Sequence, residues 1–253
     1  MDVTDDGATP TDAAGTGATM TEEATSTNPF GPDAASILAT EHWSLLGSRS
    51  LIWNEAMSRT TVFLSLLSAA IVALALVADA TSFGEQTTTL ALVLLPVVLL
   101  LGLVTHVRLV AINNEEVRIM LAMNRLRHAY LEIAPGLKPY FSTGHHDDER
   151  GLAASYLIAG AGRLRPWAQF LQATATLVGT VDALLAAGIV VLAMQTADAS
   201  AAVTGAAGAG ALLIVWVALV VAQRHALDPL RHTAPRFPTL KDDAPARDDP
   251  TAT

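Results

Sequence analysis

One acidic residue sits where an ionisable side chain is hardest to keep. Asp182 lies within the apolar run 178–192, where a charge costs about 3 kcal/mol on insertion scales and more in simulations. Its carboxyl group must therefore face protein or water. Two chemistries suit it. One is a proton or cation site serving a coupled channel or transporter. The other is a hydrogen bond that ties helices together, through Ser65 or Ser68 of the first apolar run or through Thr176 or Thr180 of a neighbouring subunit. No base lies in the surrounding apolar block to neutralise it.

A second group of reactive side chains is His145, His146, Asp147 and Asp148, followed by Glu149. Imidazole and carboxylate together are ligands for a divalent metal. His128 and Glu132, one helical turn apart, would add two more from a single face. Adjacent histidines seldom reach one tetrahedral ion, however, and no His-Glu-x-x-His spacing is present. A solvated loop feeding an acidic helix N-terminus accounts for the same residues. His106, near the end of an apolar run, could titrate near neutrality or act as a polar anchor at the interface.

Enzymatic signatures are missing. The chain has no nucleophile elbow, no phosphate loop and no dinucleotide fingerprint. With no cysteine among 253 residues, thiolate catalysis and cysteine-ligated metals are excluded. No cofactor is implied. The net charge of −9 lacks the basic footprint of a nucleic-acid binder.

The elements that must position these residues follow from where charge is absent. Hydrophobic residues make up 51% of the chain and charged ones 15%, and none of the fifteen bases falls in 60–107 or 166–223. Apolar runs at about 61–80, 89–107, 170–194 and 205–222 each approach the roughly 20 residues that cross a ~30 Å hydrocarbon core. The expected fold is all-α: a polytopic membrane protein with four transmembrane helices arranged as two hairpins, 60–107 and 166–223. A soluble bundle would need charged outward faces, which these runs lack.

Bases gather before the first span, between the second and third, and after the fourth. The positive-inside rule then puts all three segments in the cytoplasm and leaves two small external loops. Both termini are expected inside. The opening residues have neither a basic region nor an early apolar core, so no cleavable signal peptide is expected and the first span is expected to serve as an anchor.

Residues 1–32 carry almost no large apolar side chains and read as a disordered acidic tail. Residues 33–59, opened by Asp33 as N-cap, read as an amphipathic juxtamembrane helix with Trp43, Leu46, Trp53 and Met57 on one face. Residues 108–165 read as a cytosolic helical module. Its first helix continues the second span along a stripe of Leu109, Ile112, Ile119, Met123, Leu126, Tyr130 and Ile133, and ends at Pro135-Gly136. A further helix begins at a cap supplied by Asp147 or Asp148 and continues through Leu157 and Ile158. Residues 224–253 read as a disordered cytosolic tail.

Small residues spaced by four form faces at Ser65, Ala69 and Ala73, at Gly179, Ala183 and Ala187, and at Ala206 and Gly210. Such faces let helices approach closely in lipid. Pro96 is expected to kink the second span.

The pattern Ser50-Leu51-Ile52-Trp53-Asn54-Glu55, then Arg118, Met123-Asn124-Arg125-Leu126-Arg127-His128-Ala129-Tyr130-Leu131-Glu132 and Pro139-Tyr140-Phe141, resembles uncharacterised bacterial four-span integral membrane proteins. The resemblance covers about residues 40–225. It implies a helical protein of the inner membrane and no known activity. The expected function is a non-catalytic scaffold or interaction protein, working as a homo-oligomer or with another membrane protein. The alternatives are a transporter built on Asp182 and a cytosolic metal site.

Overall fold

The computed structural model describes residues 30–156, 174–231 and 234–240, with only the backbone described over 227–231. The expected tail 1–29, the continuation of the short helix through 157 and 158, and the start of the third span near 170 lie outside the described residues. Helix α1 covers Ala34–Ala80 and α2 covers Glu85–Ile133, 47 and 49 residues respectively. A 3₁₀ turn, Pro135–Tyr140, and the short helix α3, Glu149–Ser155, follow. Helices α4, Thr174–Thr196, and α5, Ala201–Arg231, complete the fold.

The chain is all-α, with four long apolar helices packed as two hairpin pairs, α1 with α2 and α4 with α5. By length and composition all four can cross a membrane, so contact with a lipid bilayer follows. The hairpins meet mainly along α2 and α4.

Both long helices outrun the bilayer. The expected juxtamembrane helix and first span are one unbroken helix, with Asp33 at its N-cap position but making no side-chain capping bond. Helix α2 likewise runs through Pro96 and on to Ile133, where Pro135 prevents its continuation. The hairpin turns are tight. Ser82 and Phe83 adopt φ of 49° and 58°, and Asp198 does the same in the second turn with φ 53°. The Phe83 N–H donates to the Ala78 carbonyl at 2.8 Å, closing the end of α1.

Packing follows helical spacing. Ala56, Thr60, Phe63, Ala70 and Ala78 are the buried positions of α1, and Leu67 packs beside them. Phe63, 1% exposed, joins Val98, Leu109 and Ile112 of α2 and Ala175 and Val178 of α4 in one cluster. Outward side chains such as Leu76, Val104 and Ile214 are exposed, as lipid-facing residues must be.

Where α1 and α2 leave the apolar zone, ion pairs join them. Glu55 accepts from Arg59 at 2.8 Å and from Arg108 at 2.8 and 2.9 Å. Arg108 also reaches Glu115 at 3.1 Å, and Arg49 pairs with Glu116 at 3.2 Å. These groups are part exposed, so solvent screening leaves each pair a small contribution. Their main effect is to fix the register of the two helices at the base-rich end, called the charged end below.

Removing the Phe63 ring leaves a cavity at the point where three helices meet. Phe63→Ala is expected to destabilise the fold by about 3–5 kcal/mol, whereas Leu76→Ala on the exposed side of α1 leaves it nearly unchanged. Thermal denaturation in mild detergent checks this, and equal losses in the two variants would contradict the assigned core.

Candidate functional site

The site at Asp182 is set by the approach of two helices. Asp182 is 0% exposed and stands on the α4 face turned toward α2. Opposite it is Gly102, the one glycine of α2. A methyl group added at Gly102 would collide with Asp182 Oδ1 and would lie 2.8 Å from Phe63 Cε2. No side chain other than hydrogen fits there. Neither carboxyl oxygen of Asp182 has a hydrogen-bond partner. Ser65 and Ser68 are exposed on the outer side of α1, and Thr180 donates instead to the Thr176 carbonyl at 2.8 Å. Within one chain Asp182 therefore makes no hydrogen bond to Ser65 or Ser68.

One turn further along α2, His106 occupies the equivalent place against Gly179. A methyl at Gly179 would lie 2.9 Å from His106 Cε1. His106 Nδ1 is 2.8 Å from the Ala175 carbonyl oxygen. Because a carbonyl only accepts, that nitrogen carries the proton. Nε2 is buried without a hydrogen bond, although it lies toward the Leu219 backbone of α5.

The small-residue faces divide. Gly179 and Ala183 are buried in the bundle, and Ala187 faces Gly208, whose added methyl would lie 3.8 Å from the Ala187 carbonyl oxygen. Ser65, Ala69 and Ala73 lie on the outward side of α1, while Ala206 is exposed and nothing lies near Gly210. On α5 the buried small positions are Thr204 and Gly208.

The second site lies at the charged end. Asn124 on α2 is wholly buried and anchors the loop before α3: its Nδ2 donates to the His146 carbonyl at 2.8 Å. Asn124 Oδ1 accepts from Arg127 at 2.8 Å and from the Ser155 hydroxyl at 2.6 Å. The loop is wound so closely that a methyl at Gly151 would strike the His146 carbonyl oxygen. Asp148 caps α3, accepting from the Gly151 N–H at 2.7 Å, as its position before Glu149 predicts.

The two aspartates hold a strand of chain from the far end of the sequence. Asp147 accepts the N–H groups of Arg236 and Phe237 at 3.0 and 2.7 Å, and Arg125 at 2.7 Å. Asp148 accepts the Thr239 N–H at 2.7 Å and the Thr239 hydroxyl at 2.9 Å. The Asp147 N–H returns a bond to the Phe237 carbonyl at 3.3 Å. The Phe237 ring stacks on His128, with centroids 4.2 Å apart. Helix α5 runs beyond 222 to Arg231, into the stretch from 224 onward. Residues 241–253 lie outside them.

The residues considered as metal ligands make other contacts here. Among the described residues no three His, Asp or Glu side chains are grouped to hold a metal ion. The rings of His145 and His146 lie tilted against each other with centroids 4.2 Å apart, and His128 pairs with Glu132 at 3.4 Å. The carboxylates that would ligate an ion accept N–H groups instead.

Burial alone would raise the Asp147 carboxyl, but the N–H groups of Arg236 and Phe237 and the Arg125 guanidinium outweigh it, holding the pKa below its ordinary value. Asp148 is lowered in the same way, against its burial, by Gly151 and Thr239. A depressed folded-state value means the bonds contribute at neutral pH and are lost as the pH falls through it. Amide exchange at Phe237 and Thr239, corrected for intrinsic rate, should therefore stay slow through mild acid and become fast only below the ordinary carboxylate range. Loss of protection already near neutrality would contradict the carboxylate clamp.

The signal for this clamp was present in sequence: Phe237 is the only aromatic residue after 223, set between Pro235 and Pro238. The signal for the Asp182 site was the lone glycine four residues before His106. No family model, no curated protein and no solved structure matches this chain, so the resemblance reaches no further than a four-helix apolar protein.

Proposed function

We propose that this protein is a non-catalytic interaction protein of the inner membrane, whose charged end faces the cytoplasm and docks extended peptide segments. The observation that carries the reading is the clamp on residues 236–239. Two adjacent carboxylates accept three main-chain N–H groups and one hydroxyl, and hydrogen bonds to a charged group contribute about 1.5–3 kcal/mol each. Main-chain recognition with one ring pocket is a general way of binding extended peptide. The absence of a catalytic motif in the sequence agrees with this role.

Orientation rests on the distribution of bases. Because the chain contains no cysteine, single cysteines report it cleanly. A membrane-impermeant maleimide on intact cells is expected to label Ser200→Cys at once and Ser142→Cys only after permeabilisation. The opposite order would reverse the topology.

The docking reading has its own test. A synthetic peptide of residues 234–240 is expected to bind the full-length Phe237→Ala protein, whose own segment is weakened, and to bind wild type poorly because that segment already occupies the clamp. Asp147→Asn with Asp148→Asn should abolish binding. Equal binding by that double variant would refute the carboxylate clamp.

A further inference from the structure

Asp182 and His106 belong to a longer row of buried polar atoms. Besides both Asp182 oxygens and His106 Nε2, the buried side-chain atoms without a hydrogen-bond partner include Gln223 Oε1 and Asn114 Oδ1. Their order in space follows from contacts already described. Gly179 touches both His106 and Leu219 Cδ1, placing Leu219 level with His106. Gln223 lies one turn beyond Leu219 on α5. Asn114 then donates through Nδ2 to the Ala226 carbonyl at 3.0 Å, joining α2 to α5 one turn further still. At 1.5 Å per residue, the row from Gly102 to Asn114 spans about 18 Å. It runs along α2, beside α4 at Asp182 and His106 and beside α5 at Gln223 and Asn114, from the middle of the apolar zone to the charged end.

In the other direction the seam is apolar. Val98, Ala91, Ala183 and Ala186 are its buried side chains, and the next buried polar side chain among the described residues is Thr204 near the opposite turn. The access is one-sided.

We propose that Asp182 is a proton-binding site reached from the charged end through this row, with His106 as the group that relays the proton. A buried carboxylate without cation or donor is untenable, whereas a carboxylic acid is tolerable. The occupant is a proton because a hard metal cation needs six or more oxygens, whereas the Asp182 carboxyl lies tight against Gly102, with the Phe63 ring at the same point. His106 holds one proton on Nδ1 toward Ala175. Its Nε2 lone pair can take the Asp182 proton through an intervening water and release it toward Gln223, leaving a carboxylate that the reverse transfer reprotonates. Buried polar atoms in such a row are the usual ligands of internal water.

Among the described residues the buried titratable side chains within the spans are Asp182 and His106, and the neighbours contributed by the other helices are not titratable. From α1 come Phe63 and Thr60, whose hydroxyl is held by the Ala56 carbonyl at 2.8 Å. From α4 comes Gly179, against His106, and on α5 Trp216 Nε1 donates to Thr180 at 3.3 Å. The nearest charges toward the charged end of α1 and α2 are Arg59 and Arg108, both paired with Glu55.

Infrared spectroscopy of the full-length protein in liposomes tests this. A carboxylic-acid carbonyl band absent from Asp182→Asn is expected, shifting after transfer to heavy water. His106→Gln and, independently, Gln223→Leu should each slow that shift by about 10-fold or more, the scale of a positioned proton-transfer group, without removing the band. Absence of the band, or exchange at the wild-type rate in both variants, would overturn the proposal. If one variant fails to fold, the other decides.

Discussion

The two hairpins become one bundle because residue 102 has no side chain. Helices α2 and α4 form the main contact between hairpins, and Gly102 lets the Asp182 carboxyl lie against the α2 backbone. Gly179 repeats the device one turn along, receiving the His106 ring. Glycine and a polar side chain thus alternate across the seam, and each glycine accommodates the group that would otherwise hold the helices apart. In lipid, where hydrocarbon surrounds the helices before and after they associate, such close approach supplies the dispersion that drives packing. The polar groups and the packing cannot be separated.

The same constraint explains how the outer parts are arranged. Helix α1 meets the seam through Phe63, whose ring fills the space beside Gly102, the one large side chain on a buried face otherwise made of Ala56, Thr60, Ala70 and Ala78. Beyond the apolar zone the helices no longer have lipid to exclude, and charge takes over. Glu55, Arg108 and Glu115 bridge α1 and α2, and farther out Asn124 organises the loop through bonds to His146, Arg127 and Ser155. Each layer of the molecule uses the interaction its surroundings favour.

Much of this was legible in sequence. Base-free blocks marked the hairpins because a charge in hydrocarbon is expensive whatever its neighbours, and the Asp148 cap was legible because a cap is local. The choice of helix face was not. In an alanine-rich chain, spacing by four occurs on every side of a helix. Ser65, Ala69 and Ala73 satisfied the pattern yet lie outward, while the buried positions of α1 include Phe63 and Ala70. What separates the two faces is a partner on another helix, and sequence periodicity does not carry partners. The docked segment escaped for a related reason: residues 224–253 lack the apolar content to fold alone, but residues 236–239 need only acceptors, which lie ninety residues upstream at Asp147 and Asp148.

Three aspartates show how far environment, rather than residue type, decides chemistry. Asp147 and Asp148 are largely buried yet receive N–H groups from Arg236, Phe237, Thr239 and Gly151, so their charge is retained and used to bind. Asp182 is buried against a glycine and a phenyl ring with neither donor nor cation, so a charge there has nothing to balance it. A carboxylate surrounded by donors grips a chain, because releasing the chain would expose a desolvated anion. A carboxyl group surrounded by hydrocarbon has only the proton as a counter-charge small enough to enter. Side chains of one type thus underlie both the proposed docking at the charged end and the proposed proton binding in the apolar zone, and the difference lies in which atoms the fold brings close to each.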